Sequence, residues 1–186
     1  MVFKILVLTF FSYSIFSQSP TAKQAFLVET VSSSEVLIEA TGIYNGVGKR
    51  DRHKKKDAKK NGLVRALEDA KRTAIYFLLF GGTDPLLKDR EEQNNFQKYE
   101  SFFYNIKNIS KYITYEDSKL IKKININGGK GLKIVKRFKI NKQILISDLE
   151  IKNVIKSRSA LVGQLGNPLI LVLPSVKKGE SPINIL

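Results

Sequence analysis

The stretch Lys54–Gly82, KKKDAKKNGLVRALEDAKRTAIYFLLFGG, constrains this chain more than any other. It opens as bare positive charge and ends as continuous apolar chain. On a helical wheel centred on Leu67, Leu63, Ala70, Ala74 and Leu78 fall within about 60° of the centre. Val64, Ala66, Ile75 and Phe77 flank them, while Arg65, Glu68, Asp69 and Arg72 lie opposite. The pattern predicts an amphipathic helix with a small-residue stripe, and Ala70 and Ala74 would let it approach a sheet closely. Gly81-Gly82 supplies the stop, because glycine tolerates the left-handed conformation beyond a helix end.

The same wheel puts Lys56 and Lys60 in line with the apolar stripe. Neither can enter a core unpaired without a large desolvation cost, so the basic turns must project beyond the core or lie in a loop. Cations at a helix start also oppose the macrodipole, by about 0.3–1 kcal/mol each when exposed. Asp57 is the expected N-cap that offsets part of this. The basic run consists of Lys49, Arg50, Arg52, Lys54, Lys55, Lys56, Lys59 and Lys60. It does not help the helix, which leaves function, disorder or plain solvation to explain it. The whole chain carries 32 Lys+Arg against 17 Asp+Glu, a formal charge of +15. That balance favours an anionic partner such as a membrane surface, an acidic glycan or nucleic acid. The lysines would supply charge, and Arg50 and Arg52 bidentate contacts. Tyr44 is the one nearby aromatic, so base stacking has little support.

Around this helix the sequence predicts an α+β domain. Val36, Ile38 and Ala40 share one face of a half-buried strand, with Leu37 and Glu39 on the other. TGIYNGVG then reads as a turn or flexible loop. Thr83 or Asp84 caps a second helix with Pro85 in its first position, and Phe96, Tyr99, Phe103, Ile106 and Ile113 form its apolar stripe. LIKKININ and LKIVKRFKI flank GGKG as an antiparallel hairpin. Its second strand aligns Leu132, Ile134, Phe138 and Ile140, with Lys136 interrupting. Ser147 followed by Glu150 is a capping-box pattern that begins a short third helix. The expected architecture is thus a strand, two helices packed on an antiparallel sheet, a β-hairpin and a short third helix.

The termini set the expected domain limits. MVFKILVLTFFSYSIFSQS has one early Lys, an apolar run from Ile5 to Phe16, and then small and polar residues. Such a run is shorter than the roughly 20 residues that span a bilayer and fits a secretory signal peptide over residues 1–18. A buried strand or short helix is the alternative. A polar segment follows over residues 19–33, then the domain over residues 34–160. GNPLILVLPSV reads as a buried strand opening a truncated second domain over residues 161–186. Export would make nucleic acid a less favoured partner.

Familiar chemistries fail on inspection. The chain has no Cys and one His (His53), which excludes thiolate chemistry and a multi-histidine zinc site within one chain. GVGK at Gly46–Lys49 lacks the earlier Gly and the Ser/Thr of a phosphate loop, and Asp51 replaces the third Gly of a dinucleotide fingerprint. Glu91 and Glu92 are adjacent and diverge on a helix. A carboxylate enzyme of unfamiliar pattern is the remaining catalytic option; no catalytic residue, metal or cofactor is expected.

One resemblance adds to this reading. IEATGIYNG followed by DAKKNGLVRALEDAKRTAIYFLLFGG resembles the N-terminal domain of flagellar assembly protein T and related envelope lipoproteins, with Ala58, Ala66, Ala70 and Ala74 in the alanine-studded helix. RFKINKQIL resembles their closing strand and NPLILVLPS the opening strand of their next domain. LLFGGTDPLL, Leu78–Leu87, is similar to a helix end in a family of exported bacterial proteins of unknown function. The resemblance covers residues 34–174. It implies a small α/β domain, no catalysis and a role in an envelope assembly. The chain lacks the lipid-anchoring Cys of those lipoproteins, so lipidation is not implied. The expected function is a non-enzymatic, exported periplasmic or cell-envelope protein that binds envelope proteins as an assembly or interaction module. The alternative is a binder of anionic polymers through residues 49–60.

Overall fold

A computed structural model describes residues 19–156. The expected signal peptide over residues 1–18 and the second domain over residues 161–186 lie outside the described residues. The fold is α+β, with a five-stranded antiparallel sheet and four helices. In chain order the elements are β1 (Ala25–Thr30), β2 (Glu35–Asn45), α1 (Asp51–Phe80), α2 (Arg90–Phe103), α3 (Ile106–Tyr112), β3 (Ile113–Glu116), β4 (Lys122–Ile126), β5 (Gly131–Asn141) and α4 (Lys142–Ile151).

β2 and β5 form the centre of the sheet, paired from Glu35↔Asn141 to Asn45↔Gly131. β1 adds to the free side of β2. β3 and β4 share the far side of β5, pairing with opposite ends of it. They act as one interrupted strand. The chain leaves the sheet opposite Lys136, between the bonds Asp117 N–H to Arg137 C=O (3.2 Å) and Ile121 N–H to Val135 C=O (2.9 Å). Alternation sets the faces. Val36, Ile38 and Ala40 of β2 join Leu132, Ile134, Phe138 and Ile140 of β5 in the core.

Several expectations need correction. TGIYNGVG is not a loop throughout, because β2 continues to Asn45. Gly42 is the reason the strand can continue beneath the helix. A Cβ there would stand 1.9 Å from the Ala66 carbonyl oxygen and 2.6 Å from the Ala70 nitrogen. Part of the expected polar segment, residues 19–33, is strand β1. The second helix starts later than expected, capped by Asp89, whose side chain accepts from Glu92 N–H. Glu92 reaches back to Lys88 N–H at 2.7 Å. The stripe from Phe96 to Ile113 is broken at Asn105, which caps α3. Phe96 and Phe103 are buried, whereas Tyr99 is exposed. The third helix begins at Lys142 with Asn141 as its cap, so Ser147 lies within it and caps nothing. At the end of α1, Gly81 N–H bonds Phe77 C=O and Gly82 takes the positive φ of 72° that ends the run.

α1 keeps its expected orientation at Ala70, Ala74 and Leu78, which are buried, and departs from it in the turns before them. Its buried residues begin Ala58, Gly62, Ala66, Asp69, Ala70 and Thr73. The line that meets the sheet is therefore the small-residue line, and Leu63 and Val64 are exposed. Only farther on, at Ile75, Leu78 and Leu79, does the large apolar part become buried.

Candidate functional site

The basic run is helical from its third residue. Lys49 and Arg50 precede α1, with Arg50 in the cap position and making no side-chain cap bond. Arg52, Lys54, Lys55, Lys56, Lys59 and Lys60 are six of the first ten residues of the helix. All eight residues are exposed except Lys54, which is half-buried. Thirty residues at a rise of about 1.5 Å make α1 roughly 45 Å long, against about 37 Å for the eleven-residue central strands. The first buried residue of α1 is Ala58, so its opening turns run beyond the core, as the desolvation argument requires.

The charge of this end is only partly offset locally. None of the eight cations forms an ion pair with an acid among the described residues, and the two nearby acids are already engaged. Asp51 pairs with Lys130 at 3.2 Å. Asp57 is not the N-cap. It lies within the helix, where one oxygen accepts from the Tyr44 hydroxyl (2.6 Å) and Val47 N–H (2.8 Å) and the other from the Asn61 amide (2.7 Å). The Tyr44, Val47 and Asn61 hydrogen bonds, in that order, hold its carboxyl below the ordinary carboxylate range. Burial and the Asp57 bond push the Tyr44 phenol up to about 12. Asp57 therefore fastens the loop after β2 to the helix.

On the wheel, Arg52, Lys56, Lys59 and Lys60 share the outward side of α1, while Lys54 and Lys55 diverge from it. The next turn of that side adds Leu63 and Val64. Sequence periodicity had aligned Leu63 with Lys56 and Lys60, with Val64 on the flank. The alignment holds, but the stripe faces outward over this half of the helix.

Beside the middle of α1 lies a polar cavity of about 320 Å³ lined by Thr21, Ile43, Tyr44, Val47, Arg65, Glu68, Asp69 and Arg72. Its charges are paired or hydrogen-bonded. Glu68 lies 3.2 Å from Arg65 and 3.9 Å from Arg72, and Arg72 Nε donates to Tyr104 C=O at 3.1 Å. Burial lowers the pKa of Arg72. Buried Asp69 accepts from Thr21 N–H (2.7 Å) and Ile43 N–H (2.8 Å). It takes over as partner of β2 where β1 has peeled away, a role hidden from the sequence because the wheel placed Asp69 outside. A second charged cluster, also not anticipated, sits where β3 and β4 part. Glu116 accepts from Lys136 at 2.5 Å and pairs with Lys71 at 2.8 Å. Burial alone would raise the Glu116 pKa, but the two ammonium groups outweigh it and hold the carboxyl low. The interrupting Lys136 of the sequence pattern is thus a buried partner of Glu116. Among the described residues no three His, Cys, Asp or Glu side chains converge as metal ligands.

Comparison with family models, with curated proteins and with solved structures finds no match.

Proposed function

We propose that the chain is a non-enzymatic, exported cell-envelope protein and that its folded domain is an interaction module. It docks through the basic end of α1 on an anionic partner surface. The observation that carries this reading is the run of eight basic residues at one helix end, whose neighbouring acids are engaged elsewhere. Such a run is unfavourable at a helix N-terminus, and an anionic partner removes the conflict. The commitment of Glu68 and Asp69 to guanidinium and backbone groups supports a binding role over a carboxylate enzyme. Edge strand β1, with Phe26 and Leu27 about half exposed, offers envelope proteins a second contact.

The test is photo-cross-linking in the native cells from a diazirine residue placed at exposed Val47, a reaction that consumes no lysine, with wild type beside a variant in which Lys54, Lys55, Lys56, Lys59 and Lys60 are changed to Gln. Salt-sensitive capture of envelope components by wild type, reduced in the variant, is the expected result. Recovery of the chain from the cytoplasm with residues 1–18 retained overturns the envelope reading. Equal, salt-independent capture by both forms overturns the role of the basic end.

A further inference from the structure

The outward side of α1 combines two features that plain solvation does not explain. Arg52, Lys56, Lys59 and Lys60 are exposed on it, and Leu63 and Val64 follow within a turn, 40% and 60% exposed. Leu67, one turn farther, is already half-buried. Val47, 71% exposed, is held beside this stripe by its N–H bond to Asp57. Asp57 is the acid on this side, and its oxygens are occupied by Tyr44, Val47 and Asn61. The result is a straight surface about 18 Å long from Arg52 to Val64, cationic at one end and aliphatic at the other.

We propose that this surface lies on an anionic lipid bilayer, the lysines among the phosphates and Leu63, Val64 and Val47 at the acyl boundary. The proposal rests on the anionic-surface reading above and names the partner. A helix with Lys/Arg beside exposed aliphatic side chains suits an interface that is charged outside and apolar beneath. Nucleic acid fits less well. Leu and Val offer no aromatic face for a base to stack on, and Tyr44 is half-buried with its hydroxyl tied to Asp57. Three of the four charges on the stripe are lysines, point charges suited to a diffuse negative plane rather than to bidentate phosphate recognition.

The chain has no cysteine, so the full-length protein accepts one environment-sensitive fluorophore at Val64→Cys or, as a remote control, at exposed Ile151→Cys. Vesicles of phosphatidylcholine alone are compared with vesicles containing phosphatidylglycerol. The expected result is a blue shift and several-fold brightening at position 64 with the anionic vesicles only, and no response at position 151. Changing Lys56, Lys59 and Lys60 together to Gln is expected to weaken the response roughly 100-fold in lipid concentration. Leu63→Ser should weaken it while leaving binding to a double-stranded DNA oligonucleotide unchanged. Salt-sensitive DNA binding without a vesicle response at position 64 overturns the bilayer proposal and leaves the anionic-surface reading standing. Failure to bind either probe overturns both. Because local lipid contact is read at position 64, binding of vesicles through any other segment leaves that probe silent and counts against the proposal.

Discussion

Gly42 and Gly62 lie on facing sides of the same contact, and the structure predicts opposite signs for the same substitution. A Cβ at Gly42 would stand 1.9 Å from the Ala66 carbonyl oxygen, 2.6 Å from the Ala70 nitrogen and 2.8 Å from the Ala70 Cβ. Two of these neighbours are backbone atoms, so no rotamer change relieves the clash. Restoring ordinary contact near 3.4 Å requires β2 and α1 to separate by about 1.5 Å. A gap of 0.5–1 Å already forfeits a quarter to a half of each dispersion contact, and here the gap opens along the whole small-residue line. Overpacking costs about 1–3 kcal/mol where side chains can adjust, so Gly42→Ala should cost about 3 kcal/mol or more. At Gly62 a Cβ would meet Leu132 Cβ at 3.5 Å, an ordinary contact. Gly62→Ala also removes the helix penalty of glycine, a gain of up to about 1 kcal/mol. Urea unfolding followed by far-ultraviolet circular dichroism measures both. The midpoint should fall sharply for Gly42→Ala and rise slightly for Gly62→Ala. Equal, small effects at the two positions would refute the claim that α1 rests with its backbone against β2.

Other substitutions test the remaining contacts. Asn141→Ala should lose about 1 kcal/mol as the cap of α4, and Ser147→Ala should change stability by a few tenths; equal losses would put the helix start at Ser147 instead. Asp69→Ala strands the Ile43 and Thr21 amides and should cost about 1–3 kcal/mol, with faster hydrogen exchange at Ile43 as the local signature. Glu116 has a lowered folded pKa, so its stabilising contribution is complete above the ordinary carboxylate value near 4 and is lost as pH falls through the lowered one. Glu116→Gln should therefore destabilise at neutral pH and flatten the acid limb of the stability profile, and an unchanged limb would remove Glu116 as its source. Tyr44 should titrate near pH 12 by ultraviolet absorbance and move downward in Asp57→Asn, though not fully to 10, because burial is the larger cause.

What the sequence revealed and what it concealed follow from the reach of the forces involved. Strand β5 was legible because its alternation is local: Leu132, Ile134, Phe138 and Ile140 report one face directly. The helix of Lys54–Gly82 was legible for the same reason, and so was its orientation from Ala70 onward, but not in the turns before it. Hydrophobicity assigns the inward side to the largest apolar residues, Leu63 and Leu67. A helix laid on the centre of a sheet is instead limited by how closely two backbones approach, and small residues win that position. Ala66 and Ala70 lie over β2, with Gly42 opposite them as the matching gap, and Gly62 meets Leu132 of β5. Asp69 could not be placed from its own segment, since the amides it serves belong to Thr21 and Ile43, distant in sequence. Lys136 looked like an interruption because its partner Glu116 arrives with a strand too short for periodicity to mark. The basic run needed no tertiary knowledge to be recognised as unburied. That Lys56 and Lys60 share an outward stripe with Leu63 and Val64 depends on the orientation of α1. Once the small residues claim the sheet, the large aliphatic ones are turned outward beside the lysines. The same packing choice that seats the helix therefore creates the amphipathic surface proposed to meet the bilayer.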